Sequence, residues 1–305
     1  MLESEMAIRV GLCCTFLEQP IRFRSATARY VLSLKPKDRA VYLDQIAFDN
    51  ANALKQALEW CDMHGIGAFR INSQFLPLYT HPTAGYSFDD LTRASEIKIL
   101  YDDVRKLAQR SKVRLSFHPD QFVVPGSNNP DVVRASLLEL NYQARVAAMI
   151  GAEQLTLHGG GAYGDKISAL KRLIEGLDQL PAAARALIVL ENDDRIYTVK
   201  DLLPIAESAG VPLVYDVHHH RCLPDGLSVE AATDLCSATW KTREPWFHIS
   251  SPLGGWKTKD PRVHADYINP RDFPKCWLGR TITVDIEAKA KELAVIKIMR
   301  WLKNK

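Results

Sequence analysis

Six short runs rich in Val, Ile, Leu or Phe each close on a side chain able to bind a metal: Phe117-His118, Leu157-His158, Leu190-Glu191, Tyr215-Asp216, Phe247-His248 and Ile286-Glu287. If these runs are parallel strands, all six heads converge on one rim, because parallel strands end on the same side of their sheet. Parallel strands need intervening helices, and the rest of the chain supplies them. Strand-like runs fall at 8–13, 68–72, 113–118, 154–158, 186–191, 213–216, 246–250 and 281–287. Helix-like periodicity occupies 43–64, 88–111, 131–150, 165–180, 198–209, 228–240 and 288–302. Within 131–150, Val133, Leu137, Leu140, Ala144 and Ala147 recur at spacings of four and three and make one apolar stripe. Gly65, Gly151 and Gly210 stand where helices must stop before a strand. Eight such repeats, with strands read as near-continuous apolar runs, predict an α/β fold: a single (β/α)8 TIM barrel, one domain over 1–305, with the metal site at the C-terminal ends of the strands. The seventh repeat is irregular. Between 251 and 280 lie Gly254, Gly255, Pro261, Pro270 and Pro274, which leave room only for a short helix near 271–277. A loop of that length, carrying His264, is expected to overhang the rim.

Composition narrows the function classes. At 305 residues and 47% hydrophobic, the chain can bury a sizeable core. No run of about 18 or more uncharged apolar residues is present, and MLESEMAIRV lacks an apolar centre, so neither a membrane span nor a signal peptide is expected and the cytoplasm is the default location. The six cysteines form no CxxC pair, which fits reduced packing thiols better than disulfides or zinc fingers. A net charge of +3, from 39 basic against 36 acidic residues, is too small by itself to argue for nucleic acid. Three of the acids sit in the suspected metal site, however, which leaves a more basic surface.

Adding His81 and His264 from adjoining loops, and His219 just past Asp216, brings the candidate ligands to six histidines and three carboxylates. Nine ligands suit more than one ion. Imidazole and carboxylate without thiolate favour zinc, manganese or iron over calcium or magnesium, and bridging carboxylates hold two or three ions about 3.5–4 Å apart. Such a cluster commonly cleaves phosphate esters with metal-activated water. Each residue taken alone has a commonplace alternative. His118 before Pro119 reads as a capping group, Glu191 as a cap for the helix near Thr198, and Glu287 as a partner of Lys289. In DVHHH (216–220) the strand period sends neighbours to opposite sides, so one or two of the three histidines face the site. Nine coincidences on one rim are harder to accept than one metal centre. His64, at a helix end beside Gly65, is read as structural. Arg22, Arg24, Arg29, Lys257, Lys259 and Arg262 place cations where a DNA backbone would lie, although solvated loop charge is the commoner reason for them. Gln121 and Phe122 pair an amide with an aromatic, the kind of wedge that enters a base stack, with core packing of Phe122 an equal alternative.

The motifs SFHPDQF (116–122), LHGGGAYGDK (157–166), LENDD (190–194), DVHHH (216–220), HISSP (248–252), RVHADYI (262–268) and IEAKAKE (286–292) together resemble the UV damage endonucleases, relatives of the apurinic endonucleases and xylose isomerases. The matches run in order over nearly the whole chain. The resemblance implies an ATP-independent DNA excision-repair hydrolase that nicks immediately 5′ to a UV photoproduct, with manganese the usual metal and zinc or iron as alternatives. By motif, His81 in THP, His118, His158, Glu191, Asp216, His219, His248, His264 and Glu287 fall on the family's metal-centre positions, with Glu191 as bridging ligand and Glu191, His81 and Glu287 expected to carry the chemistry. Gln121 and Phe122 fall on the lesion-probing pair, and Tyr163 and Lys166 on backbone contacts. Two positions depart from the pattern: Leu12 stands where well-known members carry Tyr, and Trp246 where some carry a carboxylated lysine. The expected partner is damaged double-stranded DNA, with no membrane, no nucleotide cofactor and a monomeric chain. The main rival is a small-molecule metal enzyme of the same barrel superfamily, a sugar isomerase or oxidoreductase; a damage-binding protein without catalysis is the third.

Overall fold

The computed structural model describes residues 8–305, so 1–7 of the stretch read above for a leader lie outside the described residues. Eight parallel strands close into a barrel in chain order: β1 (Ile8–Cys13), β2 (Ala68–Ile71), β3 (Arg114–Phe117), β4 (Gln154–His158), β5 (Ile188–Glu191), β6 (Leu213–Asp216), β7 (Trp246–Ile249) and β8 (Ile282–Ile286). Closure comes from β1 pairing with β8, Gly11 opposite Asp285. Every predicted strand is present to within two residues at each end. The helices are α1 (Ala28–Ser33), α2 (Pro36–Met63), α3 (Ala94–Ser111), α4 (Pro130–Ile150), α5 (Lys166–Leu177), α6 (Ala182–Arg185), α7 (Val199–Ala209), α8 (Val217–Cys222), α9 (Val229–Thr239) and α10 (Lys291–Leu302). Gly151 and Gly210 end α4 and α7 in the left-handed conformation, at φ 79° and 62°.

Three helical boundaries differ from the periodicity. The second helix begins at Pro36, not 43, since proline at the first helical position is preorganised there. The expected 88–111 helix breaks into a 3₁₀ turn at Phe88–Asp90, closed by a Ser87–Asp90 capping box, before α3 starts. In the seventh repeat two 3₁₀ turns, Pro270–Asp272 and Lys275–Trp277, replace the expected short helix. That loop is pinned by the buried Asp272, whose carboxylate accepts from Ser251 Oγ at 2.6 Å and Trp256 Nε1 at 2.8 Å.

The strands are not uniformly apolar. Alternation sends Val10, Leu12, Phe69, Leu115, Leu155, Leu190, Phe247 and Val284 outward into the main core beneath the helices. The inward set is mostly polar: Arg9, Arg70, Arg114, Gln154, Thr156, Thr283 and Asp285. Only Ala68, Val189, Val214, Trp240 and Trp246 make a separate apolar plug. Leu12, fully buried in the wall, therefore has no surface on the rim. Trp246 likewise fills the interior, with the Arg114 guanidinium 4.5 Å from its ring. Among the described residues no helix is long and apolar enough to cross a membrane, and all six cysteines are free.

Candidate metal centre

Glu191, the last residue of β5, is fully buried, and its two oxygens face different neighbours. Oε2 lies 2.8 Å from His118 Nε2 and 3.8 Å from His158 Nε2. Oε1 lies 3.1 Å from His248 Nδ1 and 3.3 Å from His219 Nδ1. A carboxylate with one oxygen turned to each of two imidazole pairs is the arrangement of a bridging ligand. Two sets of donors are compact enough to hold an ion, with all ligand atoms within 4.8 Å of one another: His118, His158 and Glu191, and Glu191, Asp216, His248 and Glu287. They share Glu191.

Local structure explains each donor's aim. Asp216 ends β6 and caps α8: Oδ1 accepts the His219 backbone N–H at 2.8 Å, which leaves Oδ2 directed at the site. Its backbone is held by Asn192, whose side chain both donates to Asp216 O and accepts from Asp216 N at 2.9 Å. DVHHH thus turns into a helix after Asp216 instead of continuing as strand, so the three histidines separate by helical rotation. His219 reaches the cluster and bonds Asn192 O through Nδ1 at 2.9 Å. His218 packs against Trp256 and His264, with ring centroids 5.2 Å away. His220 turns outward to Tyr215 and Asp225. Glu287 pairs with Arg70 Nη1 at 2.6 Å, not with Lys289. His264, in the β7–β8 loop, stands 3.8 Å from Glu287 Oε2. Thr198 and Asp201 cap α7 between them, so Glu191 is free of that role. The glycine after His158 serves packing: a Cβ on Gly159 would fall 2.5 Å from the Tyr197 ring.

The electrostatics are those of an anion-rich centre surrounded by imidazoles. Burial opposes ionisation of Glu191, but the surrounding imidazoles of His248, His158, His118 and His219 outweigh it and hold its carboxyl well below the ordinary range. Burial also opposes charge on His248, yet Glu191 and Glu287 raise it to about 9. His219 is raised well above its ordinary value by Asp216 and Glu191 against the same burial, whereas desolvation wins at His158 and lowers it. Glu191 Oε1, Asp216 Oδ2, His158 Nδ1 and both nitrogens of His248 are buried without a hydrogen-bond partner. Donors left unpartnered in this way are ones a bound ion could satisfy.

His118, His158, Glu191, Asp216, His219, His248, His264 and Glu287 thus meet at the C-terminal ends of the strands. His81 does not join them through any ion pair or ring contact among the described residues. Its Nδ1 accepts the backbone N–H groups of Thr83 and Ala84 at 3.2 and 3.1 Å. A cavity of about 920 Å³ opens over the cluster and is lined also by Arg70, Cys14, Asn72 and Gln121. Phe122 stands 65% exposed beside it, which settles against core packing for that side chain. Lys166 is engaged by Asp201 at 2.9 Å, and exposed Tyr163 has the Arg172 guanidinium 5.6 Å from its ring. Of the rim cations, Arg22 bonds carbonyls of its own loop, Arg24 pairs with Asp49 and Arg262 with Asp260, while Arg29, Lys257 and Lys259 are exposed. His64 stacks on Trp60 at 3.9 Å, a packing role. Sequence reading missed Arg70 and Asn192. Arg70 carried a usable signal, since it is an inward position of β2 two residues before the loop.

The family described as UV-endonuclease UvdE matches residues 8–305. A UV DNA damage endonuclease of Bacillus pumilus is 31% identical over 90% of this chain and 87% of its own length. The crystal structure of SacUVDE superposes with a TM-score of 0.86 at 30% identity, covering 97% of this chain and 98% of that one. Endonuclease IV from Thermus thermophilus, with a TM-score of 0.64 at 14% identity and coverage of 97% and 98%, shares the fold.

Proposed function

The chain belongs to the UV-endonuclease UvdE family and is a DNA repair endonuclease; on that footing we propose that it nicks the phosphodiester immediately 5′ to a UV photoproduct in double-stranded DNA, using a divalent-metal centre organised about Glu191. The observation that carries this reading is the division of Glu191 between two imidazole pairs at the floor of a cavity of about 920 Å³. The orphaned donors fit the group: imidazole and carboxylate, with no thiolate in either compact set, suit manganese, zinc or iron. Bound there, such ions would lower the pKa of water and neutralise phosphate oxygens during an in-line displacement.

The chain's own residues supply the rest. His118 and His158 serve one side of Glu191, and His248, Asp216 and Glu287 the other, with His219 and His264 completing the rim. Arg70 occupies one oxygen of Glu287 and leaves the second for ligation. In His81 the two backbone donors on Nδ1 put the ring proton on Nε2, which suits a hydrogen bond to substrate better than metal ligation. Gln121, on the cavity wall, and the exposed Phe122 next to it would fill the gap that a flipped nucleotide leaves in the stack. The free cysteines agree with a reducing cytoplasm.

Purified protein incubated with manganese and an end-labelled duplex carrying one cyclobutane dimer should yield a single nick 5′ to the dimer with a 3′-hydroxyl. Binding without cleavage would support the damage-sensing reading, and neither binding nor cleavage the small-molecule one. The exposure of Phe122 beside the site and the family match favour the polymer over the small molecule.

A further inference from the structure

One buried carboxylate in the barrel is not used by this chemistry. Asp285, on β8 two residues before Glu287, is fully buried, and neither oxygen has a hydrogen-bond partner. It lies beneath the cluster, with Oδ2 3.6 Å from His248 Nε2, on the opposite edge of the ring from Glu191 and Glu287, which stand 3.1 and 3.4 Å from Nδ1. The Trp246 indole N–H, also without a partner, approaches the same carboxylate. Arg70 is near but gives its Nη1 to Glu287. Across the sheet a Cβ on Gly11 would fall 2.1 Å from Asp285 Oδ1, so the bare backbone of β1 makes room for this side chain.

We propose that Asp285 is a positioning residue of the metal centre: its carboxylate accepts a hydrogen bond from the Nε2–H of His248, keeps the ring's proton on that nitrogen, and so presents Nδ1, with its lone pair free, toward Glu191 and Glu287. A ligating imidazole is neutral and must keep its one proton on the nitrogen facing away from the ion. At His248 that nitrogen faces Asp285. The present separation is longer than a hydrogen bond, and contacts of this kind tighten when a site is loaded. A carboxylate behind the ring also makes the ligand more basic, and loss of such a partner typically lowers metal affinity by about 10- to 100-fold.

The inference rests on the proposed metal centre, and calorimetric titration of the full chain with zinc separates the two. Wild type should bind zinc; Asp285→Asn, whose carbonyl oxygen can still accept a hydrogen bond from the ring N–H, should bind about tenfold more weakly and Asp285→Ala about a hundredfold, with unchanged far-UV circular dichroism. If both variants fold and bind zinc like wild type, the inference is overturned while the centre stands. If wild type takes up neither zinc nor manganese, both are overturned. Should the variants not fold, nitrogen-15 shifts of the His248 ring in zinc-loaded wild type decide: a proton on Nε2 supports the role, and a proton on Nδ1 refutes it.

Discussion

The two ends of the barrel interior are both polar, yet they are built on opposite terms. At the N-terminal end the charges are partnered: Arg114 donates to Glu153 at 2.8 Å and to Thr283 at 2.7 Å, and Arg9 donates to Glu244 at 3.1 Å and to Lys112 O at 2.8 Å. At the C-terminal end three carboxylates and several imidazoles are held together with buried atoms left unsatisfied. Matched polar groups hold a fold together, and mismatched ones mark where a ligand is meant to complete it. Trp246 stands between these layers, with the Arg114 guanidinium 4.5 Å from its ring and its indole N–H toward Asp285.

The comparison breaks most visibly at Glu191. Glu191→Ala removes the group shared by both donor sets, and manganese-dependent nicking should fall by about a thousandfold or more while circular dichroism stays native; retained nicking would falsify the centre. His158→Ala should act in the same direction on one set only. In the lower layer, Arg114→Met leaves Glu153 and Thr283 without their donor. Because Glu153 is partly exposed, the cost should be about 2 kcal/mol rather than the full buried-pair value, read as a lower Tm with manganese affinity unchanged. A substitution there that altered metal affinity would mean the two layers are coupled.

Proton competition sharpens the upper layer. The metal-free His248 is held protonated up to about pH 9, so an ion binding there displaces a proton. Metal affinity should therefore rise with pH by up to about tenfold per unit below that value and then level off. The stability that His248 adds to the metal-free fold runs the other way: it is fully present below the unfolded histidine pKa and is lost as pH rises toward 9. Titrations at several pH values, with thermal melts of chelator-treated protein, check both signs. The smallest expected effect is at the rim. Phe122→Ala removes one exposed ring worth about 1–3 kcal/mol of stacking on a base, so nicking of a dimer-bearing duplex should drop about tenfold with no change in Tm; an unchanged rate would remove Phe122 from lesion recognition.

Much of this is legible in the amino-acid order. Strand ends at His118, His158, Glu191, Asp216, His248 and Glu287 can be read because a short apolar run followed by one ligand is a local pattern. DVHHH reads in the wrong period, since nothing local says that Asp216 will cap a helix and turn the chain. His219 is nevertheless singled out by its motif. His81 shows the reverse: its motif matches, yet its ring is bound to its own loop. The polar interior is hidden by runs such as IRVGLC and ITVDI, in which wall residues mask the alternation of the inward ones.

Periodicity and stop signals made legible eight strand–helix repeats and the strand ends that carry the ligands, because those features depend on neighbours a few residues apart. The position of Glu191 between two imidazole pairs, of Arg70 on Glu287 and of Asp285 behind His248 emerges from packing in three dimensions. These relations join residues on different strands, and barrel closure and stagger set their distances, which no stretch of sequence encodes by itself.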